Sequence, residues 1–241
     1  MTELHISPVA GRAQVNITHP DTICEPDVGM GSPIFRVPEF VRHGSKRRPP
    51  GYTAWETVRE NTELRFHWDA PIELKREYAT DFSGHLVVEG DEVAFEVTYT
   101  NIGAEPASDG LSLFCLQAGT SCEFHDFDGC NTFIWPDDRF VSINESVNGE
   151  FPDHRMAGAK DCARSVMAKR STAGFMLAIA LDRCSSVTGN FNMWPSCIHA
   201  NPEWGMLEPG EEATVRGKIY FFAGTLEDVT ERYVRDFESA R

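Results

Sequence analysis

The chain has 241 residues, with 22 basic against 37 acidic side chains and a net charge of −15. That balance excludes sequence-independent nucleic-acid binding and adsorption to an anionic membrane leaflet, since both need a cationic surface. With 41% hydrophobic and 24% charged residues, the chain has the composition of an ordinary folded protein able to bury a core without cross-links.

Proline dominates the opening segment. Pro8, Pro20, Pro26, Pro33, Pro38, Pro49 and Pro50 all fall within residues 1–51, which predicts loop and short edge strands there. The first residues carry neither a basic region nor an apolar run of the secretory kind, and Gly174–Leu181 is too short to span a bilayer. The expectation is a cytoplasmic protein with no membrane contact.

From Tyr52 the pattern changes. Leu64, Phe66 and Trp68 alternate with Glu63, Arg65 and His67, and Val93, Phe95, Val97 and Tyr99 alternate with polar or small neighbours. A period of two with β-branched and aromatic residues marks half-buried strands. Further strands are expected at 72–79, 84–89, 111–117, 131–135, 139–144, 162–169, 174–182 and 213–222, with Gly, Pro, Asn and Asp clusters between them. Residues 190–205 read as a long loop. Near the end, Thr225-Leu-Glu-Asp228 has the form of a capping box, and Leu226, Val229, Tyr233, Val234 and Phe237 recur at helical spacing. An amphipathic helix over 225–239 follows, laid on an outer sheet or sheet edge. The fold class is therefore all-β: one large antiparallel β-sandwich over 1–241 with a C-terminal amphipathic helix.

The seven cysteines are odd in number and contain no Cys-x-x-Cys, which fits reduced thiols better than a disulfide framework. Their spacing matches no zinc pattern, so no metal or other cofactor is expected. Nucleotide-binding glycine motifs, the serine-hydrolase elbow and His-Glu-x-x-His are absent from the sequence.

Three constellations carry candidate chemistry. Residues 122–130 place His125, Asp126 and Asp128 together, a group that could bind a divalent metal or act as an acid/base pair in which Asp126 would orient a histidine, or otherwise a polar turn. Residues 190–205 gather Asn190, Asn192, Trp194, His199 and Trp204. Tryptophan faces suit the C–H face of a sugar and asparagine amides suit its hydroxyls, while His199 can exchange a proton near neutrality. The alternative for that stretch is a plug of the core. Arg42, Lys46, Arg47 and Arg48 form a basic run in an acidic protein, and Arg36 has a direction fixed by its strand. Arg36 and Arg47 could grip a carboxylate or phosphate, or the run could neutralise nearby acids. Gln117 would line the same pocket from a neighbouring strand.

Two phrases resemble galactose mutarotase-like (aldose 1-epimerase-like) supersandwich proteins. They are Gly90–Gly103, a strand closed by Asn101-Ile-Gly103, and Leu207-Glu-Pro-Gly-Glu211 before the strand ATVRGKIYFF. The resemblance implies a concave, carbohydrate-facing sheet. Mutarotases pair a histidine acid with a glutamate base, and their histidine stretch corresponds to Leu111–Gln117, which has no histidine. No catalytic residue carries over. The expected function is binding of a small-molecule sugar or oligosaccharide, with His199 and His125 as proton-handling groups for epimerisation, lyase elimination or hydrolysis. The alternative is a non-catalytic module that docks a protein partner through an edge strand or the helix; homo-oligomerisation is open.

Overall fold

Alternating burial builds most of the chain. The computed structural model describes residues 3–21, 32–118, 122–147, 156–160, 163–190 and 196–239. In chain order the first strands are β1 (His5–Pro8), β2 (Gly11–Arg12), β3 (Gln14–Thr18), β4 (Ile34–Arg36), β5 (Phe40–His43) and β6 (Lys46–Arg48). Next come β7 (Gly51–Arg59), β8 (Glu63–Trp68), the short helix α1 (Ile72–Glu77), β9 (Thr80–Glu89) and β10 (Glu92–Asn101). Then follow β11 (Leu111–Ser112), β12 (Phe114–Gln117), β13 (Thr132–Ile134), β14 (Val141–Ser142), α2 (Ile143–Ser146) and β15 (Met156–Lys160). The chain ends through β16 (Val166–Arg170), β17 (Phe175–Leu181), β18 (Cys184–Asn190), β19 (Cys197–Pro202), β20 (Glu212–Ala223) and α3 (Leu226–Tyr233).

Two antiparallel sheets make the sandwich. One orders β1-β3-β4-β12-β19-β18-β15, and the other β14-β13-β16-β17-β20-β10-β9-β8-β7-β2. A small third sheet, β11-β5-β6, lies beside them. Register sorts side chains by face. Val15, Phe35, Leu116, Ile198 and Gly189 form one row across the first sheet, and the four with side chains belong to or approach the core shared with Phe66, Phe95, Ile179 and Phe221 of the second. The opposite face of the first sheet carries Gln14, Arg36, Cys115, His199 and Thr188 in one row. Asn16, Ile34, Gln117, Cys197 and Asn190 form the next. Gly189 lets the sheets close on each other here: a Cβ at that position would clash with Met167 Cε.

The two phrases singled out in the sequence meet in space. Asn101 is buried, and its Nδ2 donates to the carbonyls of Glu105 (2.8 Å) and Leu207 (2.9 Å). Its Oδ1 accepts from Gly103 N at 2.9 Å, and its backbone pairs with Gly210 and Glu211. The Asn-x-Gly turn and the Leu-Glu-Pro-Gly turn are thus one hydrogen-bonded corner.

The C-terminal helix forms as the spacing requires. Thr225 and Asp228 complete the capping box, and a π-type turn over Val234–Glu238 extends the helix. Val229 and Tyr233 pack with Ala178, Ala180, Tyr220 and Phe222 on the outer face of the second sheet, so the apolar stripe already has its partner. Among the described residues no helix is long and apolar enough to cross a membrane.

Four expectations are corrected. Residues 72–79 hold helix α1, not a strand: Ile72-Glu-Leu-Lys-Arg-Glu77 are good helix formers behind Pro71. The stretch 111–117 is two strands in different sheets, because Leu113 between them takes φ 54°. The N-terminal strands are not all edges, since β3 and β4 lie inside the first sheet. Residues 190–205 are not a loop throughout, because β19 runs through Cys197–Pro202 in that sheet's interior.

Candidate functional site

The row-sharing register assembles a buried polar cluster on the face of the first sheet that points away from the core. His199 on β19 lies opposite Cys115 on β12, and Cys197 lies two residues before His199, hence on the same face. Their ligand-type atoms all lie within 4.8 Å of one another, and the three residues are 0%, 4% and 4% exposed for Cys115, Cys197 and His199. His199 Nδ1 is 3.1 Å from the carbonyl of Thr188 and 3.4 Å from its hydroxyl, so Nδ1 carries the proton and donates to that carbonyl. Nε2 is 3.9 Å from Glu39 Oε2, and Glu39 Oε1 accepts from Arg36 at 3.1 Å. Glu39 is held over the sheet by its own N–H, which donates to the carbonyl of Leu113 at 2.8 Å.

The electrostatics of this group are those of a shared proton. The Cys115 thiol hydrogen-bonds Cys197 and holds its pKa down, against burial and with help from His199 and Asn190. Burial, with Cys197 beside it, pushes the Cys115 thiol well above its ordinary value. Burial alone would lower His199, but the Cys197 sulfur, Glu39 and the Thr188 carbonyl outweigh it and raise it. Asn190 supports Cys197 through its Oδ1, which accepts from Cys197 N at 2.5 Å.

Glu39 and Arg36 connect the cluster to an open cleft of about 730 Å³. Its walls include Arg12, Gln14, Arg36, Glu39, Arg48 and Tyr78. Three arginines against a single carboxylate among the described lining residues give it a positive character within an acidic protein.

The candidates named from sequence are distributed unevenly. Asn190, Gln117, Arg36 and His199 share the two polar rows. Trp194 and Asn192 lie outside the described residues. Trp204 offers no open stacking face: it is 3% exposed, donates from Nε1 to the Leu111 carbonyl at 2.9 Å, and packs edge-on against Tyr99 and Phe114. Arg47 is exposed and sits over the Phe40 ring, while Arg48, one residue on, faces the cleft. Elsewhere in the basic run the bland alternative holds, with Arg42 4.0 Å from Asp109 and Lys46 3.1 Å from Glu77.

His125 and Asp126 sit on the loop before β13. His125 has its ring 5.5 Å from that of Phe127. Asp126 does not orient a histidine. Its Oδ2 accepts from Thr132 at 2.5 Å, its Oδ1 from Asn131 N at 3.2 Å, and the Lys169 ammonium stands 3.9 Å away. Burial lowers Lys169 to about 8, with Asp126 and Cys197 acting the other way. Asp126 is the counter-charge of a buried lysine between the sheets. Cys115, Cys197 and Glu39 were not among the sequence candidates. The signal available was Cys197-Ile-His199, which places two donors on one face if the segment is a strand.

Comparison with known proteins identifies the fold. No family model and no curated protein sequence matches the chain. Among solved structures, the Slr1438 protein of Synechocystis sp. PCC 6803 is similar, with TM-score 0.60, 11% identity, and coverage of 93% of this chain and 96% of that one. A galactose mutarotase-like protein from Lactobacillus casei aligns at TM-score 0.54 and 10% identity, covering 92% and 98%. A galactose mutarotase related enzyme from Lactobacillus acidophilus aligns at 0.53 and 11%, covering 94% and 96%. The likeness covers 92–94% of this chain, and at this identity it establishes the fold and leaves the chemistry to this chain's own residues.

Proposed function

We propose that this galactose mutarotase-like sandwich binds an anionic carbohydrate, a uronate or sugar phosphate, in the cleft walled by Arg12, Arg36 and Arg48. His199 and Glu39 form the proton-handling pair at the cleft's inner end. The observation that carries the reading is the continuity from cleft to sheet: Glu39 bonds Arg36 at the cleft wall and stands 3.9 Å from His199 Nε2. Arginine forks match the planar oxygens of carboxylate and phosphate. An imidazole with one nitrogen pinned to a carbonyl presents the other for proton exchange, and a carboxylate beside it takes the proton at the opposite step. The carbohydrate part also rests on the neighbours, which are described as mutarotase-like, and on the cleft's mixture of polar and apolar wall.

The test is thermal unfolding against neutral sugars, uronates and sugar phosphates. A ligand at a hundredfold excess over Kd stabilises the fold by about 2.7 kcal/mol. The anionic sugars should raise the midpoint, the Arg48→Ala variant should lose most of that shift, and Arg47→Ala should keep it. His199→Gln should keep the shift and abolish turnover of the bound sugar. A shift with neutral sugars alone would remove the anionic reading, and no shift across the panel would remove the carbohydrate reading.

A further inference from the structure

We propose that Cys115, Cys197 and His199 form a zinc site, with Glu39 beside its fourth position. The proposal goes beyond the sugar-binding reading and does not depend on it.

The geometry is that of a ligand set before the ion arrives. Two adjacent antiparallel strands supply it: Cys115 from β12, and Cys197 and His199 from one face of β19. The three donor atoms lie within 4.8 Å of one another. Donors on one tetrahedral zinc, at about 2.0–2.3 Å from the ion, stand roughly 3.3–3.8 Å apart, so side-chain torsions alone close the difference. His199 is already oriented. Its Nδ1 donates to the Thr188 carbonyl at 3.1 Å, the contact that in metal sites fixes the tautomer and frees Nε2 to coordinate. Glu39 Oε2 lies 3.9 Å from that Nε2, while its Oε1 is held by Arg36, an arrangement that keeps one oxygen available on the cleft side.

Donor chemistry and charge select the ion. Two thiolates and an imidazole suit a borderline-soft cation such as Zn²⁺, and not Ca²⁺ or Mg²⁺, which take oxygen sets. A dication with two thiolates is neutral, which removes the cost of keeping a lone charge in a place where all three residues are at most 4% exposed. Binding leaves His199 neutral and both cysteines deprotonated. In the loaded protein Nε2 is a ligand, so His199 would no longer exchange protons and that part of the sugar chemistry would fall to Glu39.

The test is titration of the reduced, chelator-treated protein with Co²⁺ and Zn²⁺ alone, without sugar. It uses a Cys130→Ser background, which removes an exposed thiol from competition for the added metal. The expected result is a thiolate-to-cobalt charge-transfer band with tetrahedral ligand-field intensity at one ion per chain. Zn²⁺ should displace the Co²⁺. Cys115→Ser and Cys197→Ser, each checked for cooperative unfolding, should lower affinity roughly a hundredfold. Should either serine variant fail to fold, His199→Gln provides the same test. Absence of the band in the folded, reduced protein overturns the proposal, as does a band that survives both serine substitutions. Sugar-induced stabilisation is a separate observation, so failure of one reading is distinguishable from failure of the other.

Discussion

Asn101 ties together the two turns that carry the sequence resemblance, and its removal has a calculable cost. Asn101→Ala deletes three hydrogen bonds: two donated by Nδ2, to Glu105 and Leu207, and one accepted by Oδ1 from Gly103. At about 1 kcal/mol each, the loss is about 3 kcal/mol. It does not rise further, because the Leu207 carbonyl keeps its bond from Ala107 N and Glu105 is exposed to water. For a chain of this length that amounts to a fall of roughly 6–12 °C in Tm. Asn101→Asp separates the hydrogen-bond account from simple packing. It keeps the acceptor for Gly103 but sets a buried carboxylate against two carbonyl oxygens, so it should be worse than alanine at neutral pH and should recover on acidification as the carboxyl protonates. Urea unfolding followed by tryptophan fluorescence gives both values. A cost for alanine under about 1 kcal/mol, or an aspartate variant more stable than the alanine variant at pH 7, would refute the reasoning.

Three further predictions concern the scaffold. The folded pKa of Lys169 is lowered to about 8. Between that value and about 10.4 the unfolded chain therefore holds a proton the folded one lacks, so stability should rise with pH there, by up to roughly 3 kcal/mol; Lys169→Met should abolish this alkaline rise in urea midpoints, and an unchanged profile would contradict it. Glu92 is buried under α3 and accepts from Lys218, Arg232 and Arg235. Glu92→Ala should cost about 2–3 kcal/mol, toward the lower end for a buried pair because Arg235 reaches solvent, and should speed hydrogen exchange across α3; unaltered exchange would count against the anchor. Gly189→Ala should destabilise by about 1–3 kcal/mol through overpacking against Met167, whereas Gly44→Ala, with open space around it, should cost only its backbone strain.

The sandwich was legible where side chains alternate by hydrophobicity, as in β8 with Leu64, Phe66 and Trp68 and in β10 with Val93, Phe95, Val97 and Tyr99, and where an apolar run is unbroken, as in β17. The C-terminal helix was legible because a capping box and helical spacing agree. The site was half legible. His199, Arg36, Asn190 and Gln117 were singled out for their chemistry, but two of the strands that align them, β18 and β19, were missed. Cys184–Asn190 reads CSSVTGN and Cys197–Pro202 reads CIHANP, sequences poor in the residues that advertise a pleated surface. In a buried sheet the polar face is set by partners on neighbouring strands, which local periodicity does not report. Trp204 shows the converse, since its content of aromatic surface was equally compatible with a ligand wall and with the core that it joins.

The most direct test of the ligand site is mapping the bound ligand by amide chemical-shift perturbation, using the uronate or sugar phosphate that most stabilises the protein. The account predicts that perturbed residues follow one path: Arg12, Gln14, Arg36, Glu39 and Arg48 at the cleft, then Cys115, Thr188 and His199 on the sheet. Perturbations confined to the outer face of the second sheet, around α3 or around Trp55 and His67, would contradict it.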